Sequence, residues 1–255
     1  MTRASSVKRK FNKIVTERQE KYSTTTLTLD LNKCQGCNLC STVCPRYAIE
    51  RGPIGASLRQ RSKSPPIRIN YHKCVFCGLC AYICPFDALK LKVNDQPTEK
   101  LKRGKILPFL KGEEVICERT GNKALKFIEG EIKIHDDLCP SGCSTCIDIC
   151  PTQCLVLPKA TKEKPWEKTA KIECDRDNCL YCGACVYACP AAGAIELQRI
   201  KIHHEKEGSE STIWKNVKNK LEQKVESRYW FFEKRLKTAP GGAPTFRKEE
   251  DQIQG

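Results

Sequence analysis

Sixteen of the nineteen cysteines fall into four blocks, each closed by Cys-Pro. The first holds Cys34, Cys37, Cys40 and Cys44 before Pro45, and the second Cys74, Cys77, Cys80 and Cys84 before Pro85. The third holds Cys139, Cys143, Cys146 and Cys150 before Pro151, and the fourth Cys179, Cys182, Cys185 and Cys189 before Pro190. Three blocks read C-x2-C-x2-C-x3-C-P; the third has x3 in its first gap. A two-residue gap returns the next thiolate to the same side of a loop, so one tight turn wraps three corners of a compact cluster. This is the spacing that binds [4Fe–4S] clusters. Four blocks predict four [4Fe–4S] clusters and one-electron transfer, with no catalytic residues on the chain.

Two other thiol chemistries fit less well. Disulfides need an oxidising compartment, and the basic N-terminus lacks the apolar core of a signal peptide. An odd cysteine count also suits a full disulfide framework badly. Structural zinc takes two separated C-x2-C knuckles, not three close cysteines followed by Cys-Pro.

The elements that must position these thiols repeat as well. Alternating β-rich stretches lead into the blocks: Leu27–Leu31, Ile67–Tyr71, Glu131–Ile134 and Ala170–Glu173. Short β exits follow at Ala48-Ile49, Ala88–Leu91, Leu155–Leu157 and Ala194–Leu197, with short helical turns expected between the third and fourth cysteines. The fourth cysteines of blocks one and two lie 40 residues apart and those of blocks three and four 39, but 66 separate the pairs. The fold expected is α+β: two tandem bacterial-type two-cluster modules, each (βαβ)2, plus a long C-terminal amphipathic helix.

In two-cluster ferredoxins the fourth cysteine of a run ligates the other cluster. On that rule cluster A takes Cys34, Cys37, Cys40 and Cys84, and cluster B takes Cys74, Cys77, Cys80 and Cys44. Cluster C takes Cys139, Cys143, Cys146 and Cys189, and cluster D takes Cys179, Cys182, Cys185 and Cys150. Gly142 is expected to absorb the extra residue of the third block. Cys117, Cys154 and Cys174 are left over. Cys174 competes with Cys179 for a place in the fourth block, and Cys179 is preferred because it keeps the spacing. Cys154 and Cys117 are expected to pack as small hydrophobes.

The domains expected are a basic N-terminal arm (1–25), a first module (26–91), a connecting insertion (92–130), a second module (131–200), and a C-terminal helix and tail (201–255). The connector mixes glycine and charge with apolar residues such as Ile106, Leu107 and Phe127, so it is expected to pack as a small hairpin across the modules. Residues 51–66 read as a basic loop. Trp214, Val217, Leu221, Val225, Tyr229, Phe232 and Leu236 recur every three or four residues, which predicts one helix over 211–238, capped by Ser209 or Ser211. That stripe is expected to dock on the module body or a partner. His135, His203 and His204 form no metal constellation and are expected to be exposed.

The formal charge of +15 falls to about +7 once sixteen thiolates and four oxidised cores are counted. Interspersed glutamates and the lack of a reading motif weigh against nucleic acid as a partner. No apolar stretch reaches the length of a membrane span. Free thiolates suit a reducing cytoplasm.

The repeated runs resemble archaeal polyferredoxins. Gly52–Ala56, Asp137–Cys143, Tyr181–Cys185 and Glu207–Ser209 leading to Trp214-Lys215 are similar to the polyferredoxin subunit of formylmethanofuran dehydrogenase. The resemblance spans roughly residues 27–235, and members of that family carry more cluster modules than these four. It implies a cytoplasmic subunit that wires electrons to tungsten or molybdenum catalytic subunits of a C1 redox complex, with soluble ferredoxin as a further partner. The alternatives are a subunit of a hydrogenase or heterodisulfide-reductase complex, a free ferredoxin, or a cluster-bearing nucleic-acid-binding protein.

Overall fold

The computed structural model describes residues 4–54, 65–98, 106–139, 143–157, 172–205 and 211–225. Each cysteine run sits between two strands, and the pairing of those strands joins the runs in twos. In the first module the lead-in strand of run one, β3 (Thr24–Asp30), pairs antiparallel with the exit strand of run two, β6 (Leu89–Val93), with Leu29 opposite Leu89. Between them β4 (Ile49–Arg51) pairs with β5 (Ile67–Ile69). The second module repeats this arrangement. Its outer ladder is β10 (Ile128–Ile134) with β13 (Ile195–Ile202), and its inner one β11 (Leu155–Val156) with β12 (Glu173–Cys174). Alternation buries one face: Leu27 and Leu29 of β3, and Ile195 and Leu197 of β13, are in the core.

Four one-turn helices carry the third cysteines: α1 (Leu39–Val43), α2 (Leu79–Tyr82), α3 (Thr145–Ile149) and α4 (Ala184–Ala188). Three of them stop at a fourth cysteine that has left the helical region, Cys44 (ψ 117°), Cys150 (ψ 121°) and Cys189 (ψ 125°). The cause is the proline that follows, which disfavours helical backbone in the residue before it. Helices this short do not hold themselves in water, so packing must keep them.

Two segments bind the modules into one body. In the connector, β8 (Glu113–Cys117) and β9 (Asn122–Lys126) form a hairpin. It meets the first module through Leu125 N–H to Pro85 O (3.0 Å) and Asn122 Nδ2 to Asn32 O (2.8 Å). Toward the second module, Cys117 Sγ donates to Pro151 O, Arg119 Nη1 to Asp148 O (2.6 Å), and Lys126 Nζ to Arg176 O and Asp177 O (2.8 Å each). The second brace is α5 (Thr212–Glu222), which lies across α1 of one module and β13 of the other. Its Trp214, Val217 and Leu221 are almost fully buried.

This helix is far shorter than the 211–238 expected. It ends at Glu222, with Gln223 extended. The reason is tertiary. Gln198 Nε2 donates to Glu222 O (2.6 Å) and Arg199 Nη1 to Leu221 O (3.0 Å), which satisfies last-turn carbonyls from outside the helix. Val225 N–H then turns to Leu197 O (3.3 Å). Tyr229, Phe232 and Leu236 lie outside the described residues. At the other end Ser211 Oγ accepts from Trp214 N–H (3.1 Å), so Ser211 is the cap. Ser211→Ala is expected to lower stability by about 1 kcal/mol, read as a lower melting temperature of the holoprotein with its clusters retained.

The N-terminal segment, read as an arm, is instead a hairpin. β1 (Ala4–Lys10) pairs with β2 (Lys13–Gln19), and β2 with β3, so the sheet runs β1-β2-β3-β6-β7, with β7 at Gln96–Pro97. Thr16 is buried against the module. Of the basic loop, residues 55–64 lie outside the described residues.

Candidate iron–sulfur centres

The backbone of the runs explains how so few residues curl around one object. In run one, Gly36 (φ 73°) and Asn38 (φ 66°) are left-handed; in run two, Phe76 (52°) and Gly78 (79°); in run four, Tyr181 (49°) and Gly183 (85°). Each left-handed residue between two cysteines reverses the chain, turning side chains and amides inward. Phe76 N–H points at Cys74 Sγ and Tyr181 N–H at Cys179 Sγ, both at 3.4 Å. Gly183 is glycine for a second reason: a Cβ there would meet Val225 Cγ1 at 2.7 Å. Run three breaks the pattern. Ser144, the equivalent of Asn38, Gly78 and Gly183, has φ −112°. Its x3 gap, including Gly142, lies outside the described residues.

The fourth cysteine of each run faces the other run. One cavity is lined by Cys34, Cys37, Cys40 and Cys84, and another by Cys74, Cys77, Cys80 and Cys44. In the second module the thiols that act on Cys146 are Cys189, Cys139 and Cys143. Those that act on Cys185 include Cys182, Cys179 and Cys150. Amides fix the crossing sulfurs: Ala48 N–H lies 3.2 Å from Cys44 Sγ, and Ala88 N–H 3.3 Å from Cys84 Sγ.

Burial pushes these thiols up. Desolvation raises Cys37, Cys40 and Cys185 well above the ordinary range; neighbouring thiols add to it. Cys182 rises to about 11 and Cys146 to about 12, also chiefly by burial. Such sulfurs exist as thiolates only with a strong positive partner at hand. Groups of four buried or half-buried soft donors with inward amides fit iron–sulfur clusters, which would supply that charge and carry single electrons.

The two modules meet at their first and fourth runs. Cys182 of run four is among the thiols that act on Cys37 of run one. Two arginines lie in this seam. Arg51 sits over the Tyr187 ring, 3.9 Å from its centroid, with Cys40, Cys182 and Cys37 in its field. Arg199 is 3% exposed and spends its fork on three carbonyls: Nε to Tyr181 O (2.8 Å), Nη2 to Cys182 O (2.7 Å) and Nη1 to Leu221 O. Burial lowers its pKa to about 10, so it stays charged at neutral pH. Sequence reasoning missed both arginines, since nothing local marks them. On the far side of the first module, Lys220 Nζ reaches Cys44 O (3.1 Å), and Arg18 donates to Cys74 O while lying over Phe76.

Not every leftover cysteine keeps apart. Cys117 bonds Pro151 O, but the Sγ atoms of Cys154, Cys174 and Cys179 lie within 4.8 Å of one another. His135, His203 and His204 are half-buried rather than exposed, with His203 Nε2 2.7 Å from Glu129 and His135 3.8 Å from Glu196. No helix among the described residues is long and apolar enough to cross a membrane.

Comparison with known proteins agrees with this construction. Residues 33–88 and 138–193 each match the 4Fe-4S dicluster domain family. No curated protein matches the chain. Among solved structures, the chain is similar to a chain of the formate dehydrogenase–heterodisulfide reductase–formylmethanofuran dehydrogenase complex from Methanospirillum hungatei. The TM-score is 0.74 and the identity 27%, over 88% of this chain and 93% of that one. Residues 33–88 and 138–193 are thus tandem 4Fe-4S dicluster domains, and the chain is an iron–sulfur electron-transfer protein, consistent with a polyferredoxin.

Proposed function

We propose that the chain holds four [4Fe–4S] clusters as a non-catalytic wire within a larger cytoplasmic redox complex. Cluster A takes Cys34, Cys37, Cys40 and Cys84; cluster B takes Cys74, Cys77, Cys80 and Cys44. Cluster C takes Cys139, Cys143, Cys146 and Cys189; cluster D takes Cys179, Cys182, Cys185 and Cys150. The single observation that carries the reading is the seam between runs one and four, where Arg51 lies over the Tyr187 ring, 3.9 Å from its centroid, with Cys37 and Cys182 in its field. It supports placing two ligand sets from different modules side by side, in the order B, A, D, C rather than as two separate pairs. Exposure agrees with that order. Each end set has two half-buried thiols, Cys74 and Cys77 at one end and Cys139 and Cys143 at the other, whereas each middle set has one, Cys84 or Cys182.

The partner complex that fits best is one of the formylmethanofuran dehydrogenase type, with tungsten or molybdenum catalytic subunits. The structural likeness to a chain of such an assembly supports it over nearly the full length. The hairpin and helix braces favour a fixed wire over a free carrier, because they hold the modules at one distance.

Anoxic purification of the full chain should give about sixteen irons and sixteen sulfides per molecule, with mutually broadened EPR signals on reduction and catalytic subunits that co-elute. Half that content would overturn the four-cluster reading, and elution alone at every salt concentration the complex reading.

A further inference from the structure

The four cluster walls are built alike, except one. Beside each ligand set stand a residue just past the Cys-Pro turn and a strand residue five before the first cysteine. At cluster B these are Ala48 and Ile69, where Asn70 N–H bonds Ala48 O (2.7 Å) and Ile69 faces Ile49. At cluster A they are Ala88 and Leu29, with Asp30 N–H on Ala88 O (2.8 Å). At cluster C they are Ala194 and Ile134, with His135 N–H on Ala194 O (2.9 Å). At cluster D the ladder is the same, with Asp175 N–H on Cys154 O (2.8 Å) and Cys174 facing Leu155. Both wall positions there are cysteine.

These thiols touch the ligand set. Cys154 Sγ is 3.4 Å from Cys150 Sγ, and Cys154, Cys174 and Cys179 are mutually within 4.8 Å. Among the described residues no other three Cys, His, Asp or Glu ligand atoms draw this close. Two sulfurs bonded to one tetrahedral metal at about 2.3 Å lie about 3.8 Å apart. Cys154 therefore stands close to where a second sulfur at the iron corner of Cys150 would stand, and Cys174 lies within reach of the corner of Cys179.

We propose that Cys174 and Cys154 are reserve ligands of cluster D. Cys174 takes the iron corner of Cys179, and Cys154 that of Cys150, when the usual ligand dissociates or is removed by substitution. In the exchange the incoming thiol gives up its proton as its sulfur–iron bond forms. The outgoing thiolate takes up a proton as its bond breaks, and no electrons change hands. Clusters A, B and C have alanine and an aliphatic residue at these positions and no such substitute. The proposal rests on the ligand sets given above.

The test measures iron content and reduced-state EPR of full-length, anoxically purified variants. Cys179→Ala should keep the wild-type iron content with a shifted EPR signal, and so should Cys150→Ala. Cys74→Ala, the same corner of cluster B, should lose one iron or more. Cys174→Ala alone should keep all its iron, and Cys174→Ala with Cys179→Ala should lose what Cys179→Ala kept. Iron loss or insolubility in Cys179→Ala overturns the proposal and makes the two thiols ordinary core packing. Full iron in the double variant overturns the assignment to Cys174. Full iron in Cys74→Ala would instead show that the ligand sets are wrong.

Discussion

Replacing Arg199 by methionine is expected to destabilise the holoprotein by at least about 3 kcal/mol, because each buried carbonyl left without a donor costs about 1–3 kcal/mol. Three carbonyls depend on this one fork, those of Tyr181, Cys182 and Leu221. They belong to the run-four loop and to the last turn of α5, so the loss should loosen both together. Methionine fills similar volume, which leaves the missing donors and charge as the change. The charge matters separately. Arg199 is a fixed cation in the field of Cys182, Cys37 and Cys185. Its removal should make reduction of the nearest centre less favourable, seen as a lower midpoint in an EPR-monitored titration. Arg199→Lys separates the two effects: it keeps the charge but cannot serve three carbonyls from one planar fork. It should recover the midpoint more than the melting temperature. An unchanged melting temperature for Arg199→Met would mean that the fork does not brace the seam.

How much of this was legible in the sequence depended on whether the cause was local. The cysteine runs were, because their spacing itself makes the loops and their separation pairs the modules. The strands around them were, since Leu27, Leu29 and Leu31 alternate plainly with polar residues. The hairpin at residues 4–19 was hidden by its charge. Lys8, Arg9, Lys10 and Lys13 look like a solvated tail, and only the open edge of β3 makes a sheet of them. The helix stripe continued past Glu222 in the sequence. The stop comes from Gln198 and Arg199, more than twenty residues upstream. Cys154 and Cys174 were set aside because they fall outside the run spacing. Cys154 falls four after Cys150, where the other runs place Ala48 and Ala88, and so reads as small-residue packing; that Cys174 falls with Leu29 and Ile69 on the facing strand shows only in the strand pairing.

Stripping the iron with a chelator should unfold both modules, not merely empty them. The loops that wrap the centres hold unfavourable backbone: Phe76 and Tyr181 are left-handed without being glycine, at a cost of about 1–2 kcal/mol each. The helices behind them are one turn long and cannot persist alone. Ligation is the term that offsets both, since metal-binding free energy acts as folding free energy in such domains. Visible absorbance and far-ultraviolet circular dichroism should therefore fall together. A chain that keeps its dichroism after losing iron would show that the apolar core suffices. The pH dependence has a definite sign. Cys182 and Cys146, raised to about 11 and 12, must each release a proton to bind iron. Protons thus compete with the metal over the whole neutral range, and the centres are held more weakly as pH falls. At fixed chelator, iron loss should be faster at pH 6 than at pH 8, and the dichroism should follow the iron at both.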